Sequence, residues 1–527
     1  MWKRLLVGAV PFALLFALPF VLRSGRDGEP AFSASDADRL VIVSAHDKSV
    51  KREFEQGFRK YYKEKFDRDV ELDWRDVGGT SDIIRYIDDR YAANFRDFYR
   101  RNFPDEWNDG IAAAFADPRT EKNGTPDQKL ARRRFLASDV GINIDLFWGG
   151  GSYDHGKNAE KGYGVDGGAA DRHPEYFAPD IIPQNFSGEI FYDPAGRFYG
   201  CCLSSFGICY NPDRYRELGI EPPKSWDDLG RGELFGLVAV GDPTKSGSVN
   251  KCYEMLIQQK MQQSPDAETG WRSAMTLLKR ISGNSELVSD SASKIPLEVS
   301  SGSAAAGVCI DYYGFAEEEW CNTPDRKRIV FVMPENGSSV GADPIQLLRG
   351  APNRATAEAF IDFVLGVEGQ TLWSSKVGVP GGPEKRSPRR PPIRMDMYRE
   401  PLKQYLIDPE YNPYVTGAGF QYRPELTGRY FALIRILIKC VILDPGDELR
   451  AAWRAIIAAG GPEKVPEAWA EFQKLPFSYA NAGAMAAELN RTGGPEASEA
   501  VAALRREWTQ FAREHYLKAA DLAAKGR

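Results

Sequence analysis

Ser246-Gly247-Ser248 lies where a short apolar strand, Leu237–Val240, gives way to a segment with Val249, Tyr253, Leu256 and Met261 at helical spacing. A small, hydroxyl-bearing turn at a helix N-terminus has an evident chemistry. The first N–H groups of a helix lack partners within it, and the helix dipole adds partial positive charge there. Gly247 lets an outside group approach the backbone. Together these are the parts of an anion cradle. The same residues also suit an ordinary helix in which a serine serves only as N-cap.

Other candidate residues sit at the carboxyl ends of expected strands, where open α/β sheets bind ligands. Ser44 and His46 follow Arg39–Ala45, a run apolar enough to be a strand buried on both faces. Gly79, Thr80 and Ser81 follow a strand over Val70–Val77, with Ser81 placed to cap the next helix. Gly150 and Gly151 end the strand Asn143–Trp148 in a three-glycine turn. That turn either admits a ligand to the backbone or is simply tight. Asp311, Tyr312 and Tyr313 follow the strand Ala304–Ile310.

The elements that must position these residues alternate. Strand, helix, strand, helix over residues 39–95 is a parallel α/β unit. Residues 88–138 are charged, aromatic and mostly helical in pattern, an insertion over the surface, and 153–195 are rich in loops. Arg197–Asn211 is a long apolar strand leading into a second α/β unit, with helices near 248–263, 270–282 and 292–301. Arg328–Met333 and Gly341–Leu348 read as further strands and 353–376 as two helices. Residues 378–424, rich in Pro, Gly and Arg, form a connector. The remainder is helical by period.

The 527 residues carry a net charge of -6, with 43% hydrophobic and 27% charged residues. This is a globular composition with material for a real core. The charge, and the lack of a basic stripe interleaved with aromatics, argue against nucleic acid. Lys3 and Arg4 before the apolar run Leu5–Leu22 mark an export segment over residues 1–26. That run is long enough either to anchor the chain or to be a cleaved signal peptide. Either way the rest lies outside the cytoplasm. Seven cysteines leave at least one unpaired within the chain, and four scattered histidines with no C-x-x-C make a zinc site improbable. No P-loop, H-E-x-x-H or Ser-His-Asp order is present, so the sequence offers no catalytic constellation.

SAHD (44–47), GGTSD (78–82), DLFWGGG (145–151), FGICYN (206–211), GDPTKSGS (241–248), GVCIDYYGF (307–315) and AEAFIDFVLGVEGQ (357–370) occur in that order. With them the chain resembles the periplasmic solute-binding proteins of ABC importers, most closely the group that includes ferric-iron, thiamine and phosphonate or sugar-phosphate binders (extracellular solute-binding protein family 1). The resemblance covers about residues 38–380.

It implies an α/β, two-lobed periplasmic-binding-protein-like fold of type II with a hinge, plus a helical C-terminal extension. Lobe one would take 38–200 and, on return, 327–390; lobe two 201–326; the extension 391–527. Arg197–Asn211 and a segment between Arg328 and Leu348 would cross between lobes, and hinge motion would close the cleft. The implied function is capture of a small anionic or ferric solute, delivered to a membrane permease and its ATPase by a periplasmic monomer, tethered or free, with no chemistry and no cofactor. In the iron-binding branch an adjacent tyrosine pair supplies phenolates and a histidine after the first strand assists. Tyr312, Tyr313 and His46 match that pattern, whereas the branch's carboxylate position falls in Trp148–Gly151, where glycine cannot ligate. A sugar phosphate or phosphonate is the other implied cargo.

Overall fold

The computed structural model describes residues 37–104, 106–490 and 495–526. The export segment therefore lies outside the described residues, and no described helix is long and apolar enough to cross a membrane.

One continuous sheet of ten strands runs through the molecule. Its first part comprises β1 (Asp38–Ser44), β2 (Val70–Arg75) and β3 (Leu146–Trp148), with β1 parallel to both neighbours. The long strand β4 (Tyr199–Tyr210) links this part to β5 (Val238–Gly241), β6 (Val288–Ser289) and β7 (Ala306–Ile310). Two further strands, β8 (Val330–Val332) and β9 (Val340–Leu348), return alongside β4. The main path is β2-β1-β3-β9-β4-β7-β5-β6.

Strand direction decides where a ligand can sit. β4 pairs with β9 through Tyr199–Ser205, then with β7 through Phe206–Tyr210. β9 is antiparallel to both β3 and β4, so β1, β2 and β3 run the same way as the first half of β4. β7 is antiparallel to β4, and β5 follows β7. The carboxyl ends of the two strand sets therefore point at each other across the stretch where β4 changes partner, near Ser205. This is a two-lobed α/β fold with two crossing strands.

Each lobe has its own core. Leu40, Phe54, Phe58, Trp148, Phe360 and Trp373 are buried on one face of the first lobe's sheet. Val43, Ile87, Phe95 and Phe135 are buried on the other, where α2 (Thr80–Asn102) and the short helices after it form a layer of aromatics. The expected surface insertion is thus a packed layer in its α2 portion. α1 (Lys48–Phe66) presents Val50, Phe54 and Phe58 to the core at helical spacing. The expected loops after residue 152 begin with a helix, α3 (Ser152–Lys161); one internal glycine and few large apolar residues hide its period.

The second lobe buries Trp226, Leu256, Trp271 and Val308 between its strands and the helices α4 (Gly247–Gln263) and α5 (Ala267–Gly283). The C-terminal helices join that same core through Leu437, Trp453, Phe472, Trp508 and Tyr516.

Candidate functional site

Three first-lobe loops converge at the strand ends. Ser44 is buried, and its hydroxyl accepts the His46 N–H at 3.1 Å. Asp47 then caps α1, accepting the N–H groups of Ser49 and Val50 at 2.7 and 3.1 Å. The β3 loop crosses in front with Gly149 and Gly150 at φ +89° and +96°, a region that glycine enters freely. A Cβ on Gly149 would stand 2.8 Å from His46 Nε2, and one on Gly150 would stand 2.8 Å from Thr80 Cγ2. Glycine here is required by close approach, and that approach brings His46, the glycine loop and the start of α2 together. At that start Gly79, not Ser81, occupies the N-cap position, and the Asp82 carboxylate accepts the Gly79 N–H at 3.1 Å. An acid one turn in holds the orphan N–H, so the Ser81 hydroxyl has no capping role. Gly151 lies beyond, with open space around it.

His46 packs edge-on against Trp148 and Trp373, with ring centroids 4.5 and 5.7 Å away. Its Nε2 is buried with no hydrogen-bond partner among the described residues. Burial, followed by the charges of Arg390 and Lys51, holds its pKa well below the ordinary histidine value. The imidazole is therefore neutral near pH 7.

In the second lobe, Ser246 is the N-cap of α4, its hydroxyl accepting the Val249 N–H at 3.3 Å. Gly247 is exposed, with no atom within 4 Å of where a Cβ would stand, so the helix end is open to an incoming group. Ser248 is half-buried. Among the described residues, no hydrogen bond or ring contact ties Ser246–Ser248 to the first-lobe loops.

The β7 end behaves differently. Asp311 is buried, and its carboxyl accepts the N–H and hydroxyl of Ser205 at 2.7 and 3.0 Å and the Tyr312 N–H at 2.7 Å. It ties the end of β7 to the point where β4 changes partner. Burial pushes its pKa up to about 7. Tyr312 and Tyr313 lie with ring centroids 4.2 Å apart. Burial, then the neighbouring Tyr313, raises the Tyr312 phenol well above its ordinary value.

Arg390 completes the floor, and it lies in the connector. Its guanidinium is 3.9 Å from the Tyr312 ring centroid, and its Nη1 donates to Asp343 Oδ2 at 2.5 Å and to Cys202 Sγ at 3.2 Å. The Ser204 hydroxyl donates to the other Asp343 oxygen at 3.2 Å. The connector is held where it is by two buried side chains. Glu53 accepts the N–H groups of Glu384, Lys385 and Arg386 at 2.7, 3.0 and 3.1 Å. Gln370 accepts the Ile393 N–H at 2.8 Å. Pro392 bridges Cys202, so the connector lies against the edge of β4. The sequence hid this residue: a Pro- and Arg-rich stretch has no periodicity to mark it, and only the run Arg389-Arg390 hinted at a charge with a task.

Residues 175–393 match the family model for bacterial extracellular solute-binding proteins. Over that stretch the chain is similar to solute-binding proteins. A curated relative, the phosphoglycerate transport regulatory protein PgtC of Salmonella typhimurium, is 26% identical over 170 residues, 32% of this chain and 39% of its own length. An uncharacterised Haemophilus influenzae protein is 28% identical over 171 residues, 32% of this chain and 45% of its own. The chain thus aligns with less than half of either relative. Among solved structures, the periplasmic binding protein AfuA from Actinobacillus pleuropneumoniae, with fructose-6-phosphate bound, is 18% identical with a TM-score of 0.43, covering 75% of this chain and 98% of that one. Iron-bound HitA from Pseudomonas aeruginosa is 14% identical with a TM-score of 0.47, covering 76% and 98%.

Proposed function

We propose that this protein is the solute-binding component of an ABC importer, closing its two lobes on a small anionic solute and presenting it to a membrane permease. The observation that carries this reading is the opposed placement of two sets of strand-end loops. Ser44, His46, Thr80 and Gly150 gather on one side, and the open N-terminus of α4 and Tyr312 lie on the other. One solute held by both sets favours the closed arrangement of lobes, which is how binding becomes a signal to a permease. No step of chemistry is assigned to the site. The proposal puts residues 38–527 in the periplasm as a monomer, tethered or free.

The solute named for the Salmonella relative makes a phosphoglycerate the first candidate. Thermal unfolding of the full chain with 3-phosphoglycerate, fructose 6-phosphate and ferric citrate tests the reading. A solute at a hundredfold excess over its Kd adds about 2.7 kcal/mol to stability, so a true ligand raises the Tm measurably. A phosphorylated solute is expected to do so, and no shift with any of the three would contradict the proposal. Ferric citrate has a second readout, a visible charge-transfer band from Tyr312 or Tyr313; its appearance would move the assignment to iron.

A further inference from the structure

We propose that Arg390 is the anchor for an oxyanion of the solute, a carboxylate or a phosphate, in a subsite it shares with Tyr312 and His46; this rests on the solute-binding reading above. A guanidinium has five N–H donors in a fixed fork. In Arg390 only Nη1 is engaged, by Asp343 and Cys202. Nε and Nη2 have no acceptor among the described residues, on a side chain that is 4% exposed. That leaves one edge of the fork available, and a planar two-donor edge is the geometry that a carboxylate or phosphate accepts in bidentate fashion.

Position supports the assignment. The guanidinium lies over Tyr312, at the carboxyl end of the second-lobe strand β7, and 5.9 Å from the ring of Trp373, against which His46 packs at the carboxyl end of the first-lobe strand β1. It therefore stands between the two loop sets. His46 Nε2, buried and unpartnered, is a second polar group awaiting a ligand atom. Lys51, whose side chain is 8% exposed and ion-paired with Asp76, adds a second cation near His46.

The same arrangement disfavours a bare ferric ion. A trivalent cation at Tyr312 would face a fixed positive charge 3.9 Å from the ring that is meant to bind it.

Isothermal calorimetry of the full chain with 3-phosphoglycerate and with inorganic phosphate tests the assignment, using wild type, Arg390→Lys and Arg390→Gln. Loss of a charge-assisted pair predicts about 10- to 100-fold weaker binding in Arg390→Gln, with a smaller loss in Arg390→Lys, which keeps the charge but not the fork. Arg390→Gln leaves Asp343 unpaired, so circular dichroism must show it folded. In wild type the Arg390 Nε–H resonance gives a readout that needs no variant, and bound anion should shift it. Wild-type binding that survives in both folded variants, or leaves that resonance unmoved, overturns the role of Arg390 alone. Wild type that binds neither anion overturns the anionic solute reading itself.

Discussion

At the scale of single residues, two buried groups should make stability respond to pH with opposite signs. His46 has its folded pKa depressed, so its contribution is fully present above the ordinary histidine value of about 6.5 and is lost as pH falls below it. Asp311 has its folded pKa raised to about 7. It remains protonated in the fold while the unfolded chain ionises, so its contribution is lost as pH climbs from about 4 to 7. Denaturant unfolding of His46→Gln and Asp311→Asn beside wild type at pH 5 and pH 7 separates them. On going from pH 5 to pH 7, wild type should gain relative to the His46 variant and lose relative to the Asp311 variant. Parallel changes would show that neither group titrates as its surroundings dictate. Of these two residues, the sequence placed both at strand ends but could not divide their tasks. Asp311 is committed to Ser205, a hydrogen bond between residues 106 positions apart, and such a partner leaves no trace in local pattern.

At the scale of elements, the segment that matters most is the one with least secondary structure. Residues 384–393 are an irregular strand-like run fastened by Glu53 and Gln370. Glu53 is 2% exposed and accepts three backbone N–H groups. Glu53→Gln removes one acceptor oxygen and the charge. It should cost about 1–3 kcal/mol, the price of leaving buried donors unmet, and should also weaken anion binding by loosening Arg390. Calorimetry with 3-phosphoglycerate beside a denaturant melt reads both. A variant that is less stable but binds with wild-type affinity would uncouple the connector from the site. The regular elements were legible in advance: β1, α1, β4 and α4 announce themselves by apolar runs and by helical spacing. The connector was not, because its structure comes from acceptors on α1 and on the helix pair near residue 370.

At the scale of the molecule, the C-terminal helices build a shared core with the second lobe. Trp453 Nε1 donates to Asn284 Oδ1 at 2.7 Å, and buried Lys279 donates to the carbonyls of Phe472 and Lys474 at 2.9 and 2.7 Å. The extension also reaches the first lobe. Phe431 lies 5.4 Å from the Tyr153 ring, and the Ser187 hydroxyl donates to the Phe420 carbonyl at 2.7 Å. Helical period in the sequence foretold the helices but not their docking, since an amphipathic stripe does not name the surface it covers. Any change in lobe angle must therefore carry the helices from Phe431 onward with the second lobe and load the segment before them, whose Ile393, Met397, Leu406 and Tyr414 are buried in the first-lobe core. In the proposed function one anion is gripped from both lobes at once. Hydrogen exchange of the full chain with and without saturating 3-phosphoglycerate tests it most directly. Slowed exchange is expected together at residues 44–47 and 78–82 of the first lobe and at 246–250 and 311–313 of the second. Protection confined to one lobe, or none at a concentration that calorimetry shows to be saturating, would contradict it.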